Sequence, residues 1–415
     1  MDFTRNSQSP VELTYAVEWP RFGPYHIARL LAAKERLYIE KIKLVAIETA
    51  STEANYQWDE VKTDHSLHRV VIFKDTDYCM LSPNQIWDGM VDCLDTIRPD
   101  VVVVCGYAFP EALASIWWAR YNNKGVVLMS DSNSFDAPRT WYREHIKRLI
   151  LNQCDAALVA GTTAHSYIHN LGMSNEQIFI GLDVIDNQHF GNPRFQGDYY
   201  LSWLSKQPFF LCVSRFIEKK NLLNLLFAYA NYCREFNNEN YWRLVLIGDG
   251  PLKPEIEGLR NELDLLNKLI LPGFLQYDQL PDIYQSASAF ILPSSVEQWG
   301  LVANEAMASG LPVMVSRKAG CAVDLVNEGE NGWGFDPMDV DQMTTLMLRM
   351  HYLPEQQRLI MGYKSKAIID EWNTDLFSKN LLKSGTLAFN NAFKRNRKNF
   401  IALSLIRQIG HNKPL

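Results

Sequence analysis

Ser214-Arg215-Phe216-Ile217-Glu218-Lys219-Lys220-Asn221 follows directly on the apolar run Phe209–Val213, and it sets an arginine and a lysine five residues apart. At a strand end, Arg215 and Lys220 can converge on one anion. If that anion is a departing diphosphate, its charge grows as the bond to it breaks. Fixed cations then stabilise the transition state more than the ground state, and they can substitute for a metal ion. The plainer reading of the same residues is a solvated charged loop. A second segment, Pro293 to Met307, follows the apolar run Ala289–Leu292. Its part from Gly300 to Ser309 is expected to be a helix. The first-turn amides of Gly300, Leu301 and Val302 would then be free for phosphate oxygens. Glu305 comes four residues after Leu301, on the same face, where it can accept from ribose hydroxyls. Glu297, in the loop before the helix, can reach a sugar and steady an oxocarbenium-like centre.

Two further segments stand after apolar runs. Gly248-Asp249-Gly250-Pro251 follows Arg243–Ile247. Gly248 and Gly250 allow close approach of a ligand, and they equally suit an ordinary tight turn. Ser316 to Asp324 follows Val313–Val315, either lining a pocket or joining a strand to a helix that starts near Asp324.

The elements that must position these residues follow from the alternation of short apolar runs with longer amphipathic segments. Val11–Val17, Lys43–Ile47, Val70–Phe73, Val101–Cys105, Val126–Ser130 and Ala156–Ala160 read as strands. Tyr25–Arg36 and Gln85–Ile97 read as helices. Five consecutive apolar residues leave no solvated face, which argues for a parallel sheet covered on both sides. The pattern breaks at Asn187–Gln207, rich in Gly, Pro, Asn and aromatics, where a linker is expected. A second series runs through Phe209–Val213, Arg243–Ile247, Lys268–Leu271, Ala289–Leu292 and Val313–Val315. The expected fold class is α/β: two doubly wound Rossmann-like domains facing a central cleft, with ligands at the carboxyl ends of the strands. The expected division is 1–188 for an acceptor-binding domain, 189–370 for a donor-binding domain, and 371–415 for a helical segment crossing back.

Composition narrows the class. The 415 residues suit two domains, and a hydrophobic content of 47% supports sizeable cores. A net charge of −6 disfavours nucleic acid as a partner. The polar N-terminus carries no secretory signal, and no apolar run is long enough to span a bilayer. The seven scattered cysteines form neither a CxxC nor a Cys/His cluster, so a cytoplasmic protein with reduced thiols and no zinc site is expected.

Together, Arg215/Lys220, Gly248/Gly250 and Glu297/Glu305 resemble glycosyltransferase family four in order and spacing. That family has the GT-B fold, an Arg–x4–Lys pair, a Gly-x-Gly-Pro turn and two glutamates in an E-x7-E motif. The runs Ala306–Val313 and Asn331–Pro337 resemble it too, so the likeness is specific over Phe209–Pro337 and looser before it. The resemblance implies retention of anomeric configuration and no required metal or cofactor. It implies a nucleotide-diphosphate sugar as donor, UDP- or GDP-linked. Arg215 and Lys220 would bind the diphosphate, Glu297 the donor sugar and Glu305 the ribose, with the Gly300 and Leu301 amides assisting. The sequence departs from the family in three loops, in one of which Cys321 stands where a second Gly is common. Where a Gly-Gly pair is usual after the first strand, only Gly23 is present. Where a histidine is usual, the text is Ser130-Asp131-Ser132-Asn133, so Asp131 or Asn133 takes the polar role, or His26 substitutes, or the role is absent.

The expected activity is hexosyl transfer to a hydroxyl of a glycan, lipid-linked or small-molecule acceptor, as in polysaccharide biosynthesis. The alternatives are a sugar-nucleotide epimerase of similar fold and a non-catalytic nucleotide-sugar sensor. Arg139, Arg143 and Lys147, interleaved with Trp141 and Tyr142, form either a face for an anionic or membrane-bound acceptor or a solvated helix face. The tail Ala392–Leu415 has six Lys/Arg and no acidic residue, suiting either peripheral membrane contact or packing on the first domain.

Overall fold

The computed structural model describes residues 12–52, 66–192, 207–236, 240–394 and 399–412. Among them are two parallel sheets. The first has seven strands in the order β3-β2-β1-β4-β5-β6-β7. These are β1 Leu13–Trp19, β2 Ile42–Thr52, β3 Arg69–Asp77, β4 Val101–Cys105, β5 Gly125–Ser130, β6 Ala156–Val159 and β7 Ile178–Ile180. The second has six in the order β10-β9-β8-β11-β12-β13. They are β8 Phe209–Val213, β9 Arg243–Ile247, β10 Leu269–Gly273, β11 Ala289–Leu292, β12 Val313–Ser316 and β13 Gly332–Phe335. The expected two doubly wound, Rossmann-like sheets are thus present.

Strand order reverses at β1/β4 in one sheet and at β8/β11 in the other. Ligand crevices open at such points, beyond the carboxyl ends of the strands. Continuous apolar runs are needed because each sheet is covered on both faces. Tyr15, Val17 and Trp19 of β1 enter one core, and Ala16 enters the other. Helix α1 (Pro24–Ile39) starts at Gly23, whose N–H donates to His26 Nδ1 at 2.9 Å, with Pro24 opening the first turn. Helix α2 (Pro83–Ile97) opens on a reciprocal capping box between Ser82 and Gln85. Helices α3 (Pro110–Tyr121) and α4 (Trp141–Leu151) follow in the first domain.

In the second domain, helix α5 (Leu222–Arg234) follows β8, α6 (Leu280–Ser286) precedes β11, and α7 (Leu301–Ala308) follows it. Helix α7 therefore fills the stretch expected from Gly300 to Ser309, with those two residues as its caps. Helix α8 (Thr374–Lys394) returns to the first domain and packs on α1, β5 and β6. Its close approach needs glycine: a Cβ on Gly385 would come within 2.2 Å of the Tyr15 ring.

Helix α9 (Phe400–Gly410) packs on α3, burying Ala402, Leu403 and Ile406. Of the two readings of the basic tail, packing on the first domain is the one observed. Residues 395–398 and 413–415 of that tail lie outside the described residues. So do Val11 of the first expected strand and 193–206 of the expected linker, whose opening residues, Asn187–Gly191, form a short helix.

Candidate active site

The loop after β8 lies directly on the loop after β9. Ser214 N–H donates to Ile247 O at 2.9 Å, and Phe216 N–H to Asp249 O at 2.8 Å. Gly248 and Gly250 make this stacking possible. Both have positive φ, and Cβ atoms on them would come within 1.8 Å of Ser214 O and 2.6 Å of Phe216 O. These glycines support the loop that carries Arg215, a role the sequence pattern left undecided. Asn221 closes the same loop in the left-handed region, and its side chain donates to Pro293 O at 3.1 Å and Pro337 O at 2.6 Å. The Arg215–Lys220 loop is thereby tied to the loop after β11.

Lys220 ion-pairs with Glu297 Oε2, which also accepts from Ser294 Oγ at 2.9 Å. Lys219 lies beside them, half-buried. Burial and the Lys220 charge hold its ammonium below the usual lysine range. Sequence reasoning passed over Lys219, although it stands inside the quoted motif. The Glu297 backbone is fixed from the loop after β12: its N–H donates to Lys318 O at 3.3 Å, and its O accepts from Gly320 N–H at 3.1 Å. Gly300, at φ 109°, starts α7 against Glu297, so the Leu301 and Val302 amides emerge next to the Lys220–Glu297 pair.

Glu305 is completely buried. Tyr284 donates to its Oε2 at 2.6 Å, and Tyr25 of the first domain donates to its Oε1. Burial pushes the carboxyl up to about 7, against the opposing pull of the two hydroxyls. Neither tyrosine was singled out from the sequence. Tyr25 is two residues past Gly23, and only the fold brings it to the α7 helix.

The first domain contributes through its strand ends. Asp131, just after β5, is half-buried near Asp183, Asp136 and Glu297. Burial first, then the Asp183 charge, pushes its carboxyl up to about 7. Asn133 is fully buried and its side chain is already engaged: Nδ2 donates to Gln298 O at 3.1 Å, and Oδ1 accepts from Phe135 N–H at 3.1 Å. His26 serves the start of α1, as does Gly23. The His26 ring packs on Trp19, and burial followed by the Arg29 charge depresses it to about 3, so it is neutral. Of the polar candidates on this side, Asp131 alone faces the second domain's charges with its carboxylate uncommitted by any side-chain partner among the described residues. The Ser316–Asp324 segment is the joining loop. Asp324 accepts from the Thr162 amide at 2.9 Å, and a Cβ on Gly161 would strike Trp299. With Asn304 Nδ2 donating to Asp183 O at 3.2 Å, these contacts set the two domains' strand ends face to face.

Residues 201–366 match the family model of glycosyl transferases group 1. The sulfoquinovosyl transferase of Arabidopsis thaliana is 33% identical over 42% of this chain and 33% of its own length. The alpha-monoglucosyldiacylglycerol synthase of Acholeplasma laidlawii is 28% identical over 38% of this chain and 37% of its own. The match thus spans only about a third of either relative's length. Among solved structures, the sucrose-phosphate synthase from Thermosynechococcus elongatus superposes with a TM-score of 0.68 at 17% identity. It covers 92% of this chain and 99% of that one. Anabaena HepE in complex with UDP-glucose gives 0.69 at 14% identity, over 90% and 99%. The fold is GT-B.

The Glu305 carboxyl has a testable consequence. A carboxyl whose folded pKa lies above its ordinary value of 4.5 takes up a proton on folding. The fold therefore loses stability as pH rises from there through about 7. Glu305→Gln removes this dependence. Urea unfolding is expected to show the variant gaining on wild type between about pH 5 and pH 8, by up to roughly 3 kcal/mol. A difference that stays constant with pH contradicts the assignment. Asp131 is common to both proteins and drops out of the difference.

Proposed function

We propose that this chain is a retaining glycosyltransferase that moves a hexosyl group from a UDP- or GDP-linked sugar to a hydroxyl acceptor. One observation carries the reading: Arg215, Lys219 and Lys220, the amino end of α7 and the Glu297 carboxylate come together at the β8 and β11 strand ends, with Glu305 behind them. Arg215, Lys220 and the Gly300, Leu301 and Val302 amides hold the diphosphate. Glu297 accepts from the donor sugar's hydroxyls, and Glu305 from the ribose. The clustered cations supply the positive charge that a metal ion would otherwise bring, so no cofactor is required.

The donor's C1–oxygen bond breaks towards the phosphate, and the acceptor oxygen attacks C1 from the same face. The acceptor proton passes to the departing phosphate oxygen, and configuration is retained. Asp131, across the cleft from Glu297, accepts a hydrogen bond from the acceptor and orients it. Lys220→Ala and Glu297→Ala are each expected to lower nucleoside diphosphate release by about 100-fold or more. Proton NMR of the product should show the donor's anomeric configuration. Near-normal rates in both variants would sink the assignment.

The acceptor hydroxyl is proposed to be carried by a lipid at the cytoplasmic membrane surface. Two matched relatives are named for transfer to or synthesis of glycolipids: the diacylglycerol enzyme above and a phosphatidylinositol monomannoside mannosyltransferase of Mycolicibacterium smegmatis. Among the described residues, no helix is long and apolar enough to cross a membrane. The contact proposed is peripheral, through the start of α4. Trp141, 84% exposed, and Tyr142 open α4 beside the exposed Arg143 and Arg148. Arg139, which precedes the helix, and Lys147 turn inward to Tyr167 and Glu144 and are not part of this face. Replacing Trp141 and Tyr142 together by Ser should abolish co-sedimentation with vesicles containing an anionic phospholipid while preserving nucleotide-induced thermal stabilisation. Unchanged sedimentation contradicts membrane docking through α4.

A further inference from the structure

Glu305 is reached from both sides. Tyr284, fully buried on α6 of the same domain, takes Oε2 from behind. Tyr25 takes Oε1 from across the cleft and is only half-buried. The Tyr25 ring is well seated. Its edge meets Tyr277 at 5.4 Å between centroids, and Tyr277 stacks on His189 at 4.1 Å. The helix that carries Tyr25 is anchored in turn: Arg29 donates to Val184 O at 2.9 Å and pairs with Asp183 at 3.2 Å.

A ribose presents two adjacent hydroxyl donors to one carboxylate. It cannot reach Glu305 while Tyr25 covers it, because the carboxylate has no exposed surface. The two donors therefore compete for Oε1. We propose that Tyr25 is a latch on the ribose site: its hydroxyl holds Glu305 across the cleft, and a ribonucleoside diphosphate binds by displacing it. This rests on the assignment of Glu305 to ribose. A hydrogen bond to a buried carboxylate is among the stronger ones, so the latch lowers apparent nucleotide affinity by the fraction of molecules in which it is open. Asn133 to Gln298, Asn304 to Asp183 and Thr162 to Asp324 also join the domains without using Glu305. Tyr25→Phe thus frees the carboxylate while keeping the ring contacts and the domain apposition. Damage to the fold would weaken binding, whereas release of a latch strengthens it.

The test is titration calorimetry of UDP and of GDP into wild type, Tyr25→Phe and Glu305→Gln. For the nucleotide that binds, Tyr25→Phe is expected to bind about tenfold tighter and Glu305→Gln more weakly than wild type. If Glu305→Gln weakens binding but Tyr25→Phe binds no tighter than wild type, the latch is overturned and the ribose site stands. If Glu305→Gln binds as well as wild type, or wild type binds neither nucleotide, the ribose assignment falls and the latch falls with it.

Discussion

A buried carboxylate is costly unless donors surround it, and Glu305 meets that condition by drawing one donor from each domain. Tyr284 can be supplied locally, from the helix before β11. Tyr25 can reach Glu305 only if the start of α1, just beyond the carboxyl end of β1, faces the helix that follows β11. The apposition of the two sheets by their carboxyl ends is thus built into the chemistry of one residue. The supporting contacts run the same way: Asn304 reaches Asp183, Asn133 reaches Gln298, and Gly161 has no side chain to keep Trp299 out.

Around that carboxylate the charges are sorted by domain. The second domain brings Lys219, Lys220 and Arg215, with Glu297 paired to Lys220. The first brings Asp131, and Asp183 already neutralised by Arg29. An anion is favoured on one side, and hydroxyl donors on the other. This division suits a donor that leaves as diphosphate and an acceptor that arrives as an alcohol.

Most of the fold was legible because buried parallel strands are written as uninterrupted apolar runs. Val101–Cys105, Phe209–Val213 and Ala289–Leu292 matched their strands residue for residue. Short or glycine-rich strands were not legible: Ile178–Ile180 has three residues, and Gly332–Phe335 alternates glycine with aromatics. In the site, residues close in sequence could be grouped by spacing, as with Arg215 and Lys220. Contacts that depend on domain apposition leave no periodic trace. Tyr25 and Glu305 are 280 positions apart. The commitments of His26 and Asn133 to a helix start and a loop carbonyl were likewise invisible before the backbone was placed.

The proposed donor site places a nucleotide diphosphate between the Arg215 loop and the start of α7. A crystal structure with UDP or GDP bound tests it most directly. The diphosphate is expected against Arg215, Lys220 and the Gly300–Leu301 amides, with the ribose hydroxyls on Glu305. A nucleotide bound elsewhere, or one whose ribose does not touch Glu305, would contradict it.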